Sequence, residues 1–244
     1  MNTFAYARYE LLRTFRNKRF FIFSFGFPLV LYYAIAGPNR NVHDLNHSGI
    51  SAPMYYMVGL VAFGTMNAVL GSGARISAER TAGWNRQLRL TPLSVRTYFR
   101  VKVLTSYAMA LVTIALLYAA GTTLGVRLSA NHWVSMTLFI LIGLIPFAGL
   151  GIVIGHLVPS DSIGPALGGT TALLAFLGGV WFPIIGGVKQ LIAEALPSYW
   201  LVQAAHIGLG GHGWGTKGWI IVGAWSVAAA LAAASAYQRD TKRA

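Results

Sequence analysis

The sequence predicts an all-α, polytopic membrane protein with six transmembrane helices, and three observations carry that prediction. Six long stretches contain no Asp, Glu, Lys or Arg; 55% of the side chains are hydrophobic; and 15 of the 19 Lys and Arg residues fall in alternate gaps between the stretches. A helix rises about 1.5 Å per residue and the hydrocarbon slab is roughly 30 Å thick, so about 20 apolar residues cross it. A soluble chain of 244 residues with this composition would have to hide most of itself in an ordinary core, which surface-to-volume scaling does not allow. The net charge of +13 would suggest nucleic acid in a soluble protein. Here the cations flank apolar spans, where anionic headgroups attract them, so membrane lipid is expected as a partner and nucleic acid is not. With no cysteine, disulfides, thiol catalysis and cysteine-based metal sites are excluded.

The whole chain, 1–244, reads as a single transmembrane domain. Residues 1–19 form its first element: Phe4, Ala7, Leu11 and Phe15 recur every three or four positions among Arg8, Arg13, Arg16, Lys18 and Arg19, the pattern of an amphipathic interfacial helix. The spans follow at about 20–37, 53–73, 98–125, 133–157, 162–185 and 217–238. The first resembles a secretory signal ending at Ala34-Ile35-Ala36, but nineteen residues precede it and Pro28 interrupts it, so a retained span is expected. The turn-rich gap 38–52 is an external loop. Its His43 and His47 have no third ligand beyond Asp44, and no metal site is expected. Pro28, Pro146 and Pro165 should kink or break their helices. Glycine pairs four apart, Gly121/Gly125, Gly151/Gly155 and Gly164/Gly168, would let helix backbones approach closely. Residues 186–212 are too apolar and aromatic for a solvated loop and read as short helices at the outer interface.

Lys and Arg number five before the first span, then one, seven, one, none and two in the gaps, and three after the last. The positive-inside rule then places both termini and the connection Arg75–Lys102 in the cytoplasm. That connection holds seven cations and one acid. Ile76, Arg80, Trp84 and Leu88 recur at fourfold spacing, which predicts a helix over about 76–91 that Pro92 ends, after which Ser94 can cap the third span.

At these residues the chain resembles the permease subunits of type 2 ATP-binding-cassette exporters, the daunorubicin and polyketide drug exporter class. The matching pattern is Glu79-Arg80-Thr81-Ala82-Gly83, then Leu88-Arg89-Leu90-Thr91-Pro92-Leu93, then Tyr98 and Lys102, with Thr81 where the family usually has a second acid. The similarity extends to Gly178-Gly179-Val180-Trp181-Phe182-Pro183 and Leu196-Pro197 before the last span. The resemblance implies that 76–91 is a coupling helix seated in a separate ATP-binding subunit. Glu79, Arg80, Gly83, Trp84, Arg86, Leu88, Arg89, Thr91, Pro92 and Leu93 are its candidate contacts. It also implies a bacterial cytoplasmic membrane, a second permease copy or a related permease, and an apolar or amphipathic cargo such as a drug, an antibiotic or a lipid.

Independently of the resemblance, none of the five lysines follows a glycine, so the chain lacks a phosphate-binding loop. It should need no cofactor of its own; ATP and magnesium would belong to the partner. Asn67 and Thr113, polar and neutral deep in the spans, and the Phe182-Pro183 pair are the pathway candidates. A stand-alone secondary transporter or channel is the alternative, but coupling ions ordinarily require charged groups inside the spans. His156 and Asp161 are spaced to pair as base and orienter, yet both suit helix ends, and with no metalloprotease or serine-hydrolase motif no catalytic residue is expected.

Overall fold

The computed structural model describes residues 3–45, 50–83, 94–182, 184, 186–207 and 213–243, and every regular element among them is helical. Helix α1 (Thr3–Arg16) is separated by Asn17 from the single turn α2 (Lys18–Phe21). Residues Ile22–Gly26 then wind as a π-helix before α3 (Phe27–Ala36), which has Pro28 in its first turn. Pro28 accounts for the widening. It has no N–H for the Ser24 carbonyl and its ring crowds that oxygen, so the preceding turn loosens until the Phe27 N–H reaches Ile22 O.

Helix α4 (Ala52–Leu70) runs through Gly71 directly into α5 (Ser72–Thr81). Ala82 and Gly83 end it, Gly83 at φ +68°. Helix α5 therefore ends inside the stretch 76–91 predicted as helix, because Gly83 adopts the left-handed conformation that terminates helices; Trp84 to Leu93 lie outside the described residues. Helix α6 (Val95–Thr123) begins at Ser94, whose Oγ accepts the Thr97 N–H at 3.2 Å, the cap that the sequence predicts. Helices α7 (Ala130–Gly143) and α8 (Ile145–Leu157) form one stretch interrupted at Leu144, two residues before Pro146. In α9 (Ile163–Leu177) Pro165 lies in the first turn, where backbone N–H groups lack intrahelical acceptors. It starts this helix and does not kink it, contrary to the prediction. Two short helices, α10 (Gly187–Glu194) and α11 (Pro197–His206), precede α12 (Thr216–Arg243).

Among the described residues, four stretches are long and apolar enough to cross a membrane: Ala52–Thr81, Arg96–Thr123, Ala130–Leu157 and Thr216–Asp240. At the first and fifth predicted spans the apolar helices are shorter, Ser24–Ala36 and Ile163–Leu177. Turns set both limits: residues 37–41 close the first, and Gly178 with Gly179, at φ +80°, closes the second.

Helix α4 is the centre of the bundle, packed against α3, α6, α8, α9 and α11, with Met57, Leu60, Val61 and Met66 almost wholly enclosed. Glycine sets the closest crossings. A methyl group on Gly73 would lie 2.4 Å from the Gly151 carbonyl oxygen, and one on Gly155 would lie 2.7 Å from that of Gly73. The pair Gly151/Gly155 therefore brings α8 against α5, whereas Gly164 and Gly168 on α9 face no atom of the described residues within 4 Å. Helix α12 lies along α8, with Gly149 against Ala229. Three indole N–H groups tie the aromatic segment together, Trp200 to Glu194 O, Trp214 to Trp200 O and Trp225 to Ala195 O, each at 2.8–2.9 Å.

Candidate functional site

One end of the bundle gathers most of the ion pairs among the described residues. Of the six acids in the sequence, Glu10, Glu79 and Asp240 lie there, around the last turns of α5. Glu79 and Arg80 are neighbours near the end of α5, and successive helical side chains diverge by about 100°, so the two reach opposite sides.

Glu79 turns inward. Its Oε1 accepts from Arg13 Nη1 at 2.7 Å and Lys102 Nζ at 2.6 Å, and its Oε2 accepts from the Tyr98 hydroxyl at 2.8 Å. The same Lys102 ammonium reaches Glu10 Oε1 at 2.5 Å, and Arg75 Nε lies 3.9 Å from that oxygen. Glu10 and Glu79 are each 1% exposed and Lys102 is fully buried. Tyr6 stacks on Tyr98 at a centroid distance of 6.5 Å and closes the cluster. Burial, followed by Glu10 and Glu79, pushes the Tyr6 hydroxyl well above its usual range, so it stays protonated. Burial disfavours the Arg13 cation, but Glu79 and Glu10 outweigh it and raise its pKa. Two carboxylates thus share three cations, and α1, α5 and α6 cannot separate without exposing unpaired charge.

Arg80 turns the other way. Its Nη2 meets Asp240 Oδ1 of α12 at 2.8 Å, and its Nη1 donates to the Gly155 carbonyl of α8 at 3.1 Å. Ser77 Oγ adds a bond to Val158 O at 2.9 Å. Two adjacent residues therefore fasten the last turn of α5 to four other helices, α1, α6, α8 and α12.

Of the predicted contact residues, Glu79 and Arg80 enter this cluster with their polar ends on neighbouring helices, and Gly83 lies just beyond it, where a Cβ would meet no atom of the described residues within 4 Å. Trp84, Arg86, Leu88, Arg89, Thr91, Pro92 and Leu93 lie outside the described residues, as do His47 and Pro183. Among the pathway candidates, Asn67 is half-buried on a stripe that continues to Gly71 and to Ala74 of α5; from Met57 to Met66 α4 is buried, and only Tyr56 is again partly open toward its start. Phe63 borders that stripe, its ring 6.3 Å from Phe27 of α3 and 5.5 Å from Trp181 beyond α9. Phe182 is 67% exposed. Thr113 is not on an open face: it is buried against Gly64 of α4, and its hydroxyl donates to Met109 O of its own helix. His156 and Asp161 are not brought together; the imidazole packs between Phe99 and Tyr237, and the Asp161 carboxylate bonds Ser160.

Sequence reasoning missed Glu10, Arg75 and Asp240 as site residues. The stripe of α1 that is buried is Tyr6, Glu10 and Thr14, not the apolar Ala7–Leu11–Phe15 line, and Phe15 remains 43% exposed. The available signal was scarcity. In a chain with three cations to each acid, an acid at helical spacing from Tyr6 and Thr14 needs a buried partner if that face packs.

A family model described as ABC-2 type transporter matches residues 1–209. A protein of Bacillus subtilis (strain 168) described as "Putative transport permease YvfS" is 29% identical over 195 residues, which cover 78% of this chain and 78% of that protein.

Proposed function

The chain belongs to the ABC-2 type transporter family, and from that premise we propose that it is the membrane permease of an exporter driven by ATP hydrolysis on a separate subunit. As a family member with several apolar helices it is a multi-pass membrane protein and a transporter subunit, not itself an enzyme. In this reading Ser24–Ala36 and Ile163–Leu177 join the four longer stretches as crossings, and the charge asymmetry puts α1, the connection after α5 and the end of α12 on the cytoplasmic side.

The observation that carries the reading is the divergence of Glu79 and Arg80. A pull on residues 84–93 by a nucleotide-binding partner acts on the end of α5, and through two side chains it acts on α1 and α6 on one side and α8 and α12 on the other. Rigid packing at Gly73 and Gly151 leaves little room for that motion to dissipate. The stripe that is partly open at Asn67 and Gly71, with Phe63 between Phe27 and Trp181, would form one wall of the pathway. A second permease copy or a related permease would supply the other. The apolar wall suits an apolar or amphipathic cargo, such as a drug, an antibiotic or a lipid.

The test is reconstitution of the chain with its cognate ATP-binding subunit in proteoliposomes. Export should require ATP, and Glu79→Gln should lower the cargo moved per ATP hydrolysed more than it lowers the amount of assembled complex. Transport by the chain alone under an ion gradient, or unchanged coupling in the variant, would overturn the proposal.

A further inference from the structure

Helices α6 and α7 are consecutive, yet over their facing lengths they stand apart. Near one end they meet through Tyr118 and Trp133, whose rings lie 4.3 Å apart, and through the Thr137 and Tyr118 hydroxyls at 3.4 Å. Three turns away the Tyr107 hydroxyl bridges them to Leu141 O at 3.0 Å. Between these ties, about 16 Å apart along the helix, a cleft of about 370 Å³ is lined by Leu111, Ile114, Tyr118, Trp133, Val134 and Leu138. Leu111, Val134 and Leu138 on its rim are 45%, 57% and 55% exposed, so it opens sideways along an apolar surface and not into the bundle.

The segment that joins the two helices beyond Tyr118 carries Arg127, the one charged residue between Lys102 and Asp161. Its Nη1 donates to Thr122 O and Val126 O, which fixes the guanidinium over the end of α6, exposed and with no acid anywhere in the hairpin sequence. An apolar cleft capped by aromatic rings and surmounted by a solitary cation matches a molecule with a long hydrocarbon tail and an anionic head. We propose that this cleft is a binding site for an anionic glycerophospholipid, with one acyl chain between α6 and α7 and the phosphate at Arg127. Charge complementarity selects the occupant: a zwitterionic lipid offers the same tail, but its cationic head group offsets the attraction. The site is independent of the α4 stripe and does not depend on which cargo is exported.

The test uses the full chain in nanodiscs of equal phosphatidylglycerol and phosphatidylcholine, released into native mass spectrometry, together with a phosphatidylglycerol carrying a photoreactive acyl chain. One phosphatidylglycerol should be retained per chain, with cross-links to peptides holding Leu111, Val134 or Leu138. Arg127→Gln should cut the preference over phosphatidylcholine about fivefold, the effect of one cation near a membrane surface. Ala115 also lines the cleft, and Ala115→Trp, which fills it, should abolish retention. Equal retention of the two lipids by the natural chain, cross-links spread evenly over the helices, or cross-linking of these residues to a second copy of the chain would each overturn the assignment. The first two measurements need no variant, so a misfolded Ala115→Trp protein would not shield the proposal.

Discussion

Glu79 and Lys102 show how much depends on single side chains here. Lys102 is the ammonium that both buried carboxylates share, and replacing it by Met leaves Glu10 and Glu79 facing each other with only the arginines nearby. Removing one partner of a buried pair typically costs about 3–5 kcal/mol. A drop of that order in the unfolding free energy of the purified Lys102→Met protein is the expected outcome, and a loss below about 1 kcal/mol, the surface-pair range, would show that the cluster is solvated. Gly83 makes a separate prediction, because φ +68° disfavours any side chain while none of the described residues crowds the position. Gly83→Ala should therefore destabilise the turn by about 1 kcal/mol through backbone strain alone, visible as faster hydrogen exchange at residues 80–83 with the bundle core unchanged. At the other end of the molecule, hydrogen bonds from Lys217 and then Gln190 hold the Glu194 carboxyl below its ordinary range. A depressed folded pKa means that this tie between α10 and α12 is present above the unfolded carboxylate value, about 4.3, and is lost as pH falls through the lower folded value. Trp200, whose N–H bonds Glu194 O, should report a fluorescence change below pH 4 that Lys217→Met shifts upward toward the ordinary carboxylate range.

At the scale of elements, the crossing of α5 and α8 is decided by glycine and the seating of α1 by charge. Gly73→Leu would drive a side chain into the Gly151 carbonyl, whereas Gly168→Leu would project into open space. The first should lower the melting temperature of the purified chain, consistent with about 1–3 kcal/mol for overpacking, while the second leaves it unchanged; equal effects would contradict the close approach. Sequence spacing flags all three glycine pairs alike, because i, i+4 periodicity specifies a face but not what meets it. Helix α1 illustrates the same limit. Its amphipathic pattern is plain in Leu11 and Phe15, yet the face that packs on α6 is Tyr6, Glu10 and Thr14, since the buried Lys102 needs acids more than the bundle needs further apolar area. The π-turn before Pro28 follows from one missing N–H and was legible as a break, though not as a π-helix.

For the whole molecule, the absence of cysteine makes topology directly measurable. Single cysteines at exposed Thr81 and Asn131 should react with an impermeant maleimide from opposite sides of the membrane, Thr81 only in inverted vesicles and Asn131 in intact cells. Labelling of Thr81 in intact cells, or of both sites from one side, would overturn the orientation on which the coupling proposal rests. The sequence by itself determined that this is a helical membrane protein, which helices are apolar along their length, where Ser94 begins α6 and which way the positive charge is distributed. Those properties are sums over local composition, and a lipid slab imposes the same length and hydrogen-bond demands on every crossing segment. Only the tertiary structure decided that Glu79 and Arg80 face apart and that Glu10, ninety-two positions from Lys102, shares its ammonium. It also decided that Thr113 is sealed in packing while Asn67 stays partly open. Which side of a helix is covered depends on the rotation and crossing of its neighbours, and those were set here by backbone contacts at Gly73 and Gly151 and by ion pairs between distant segments, neither of which has a local period to read.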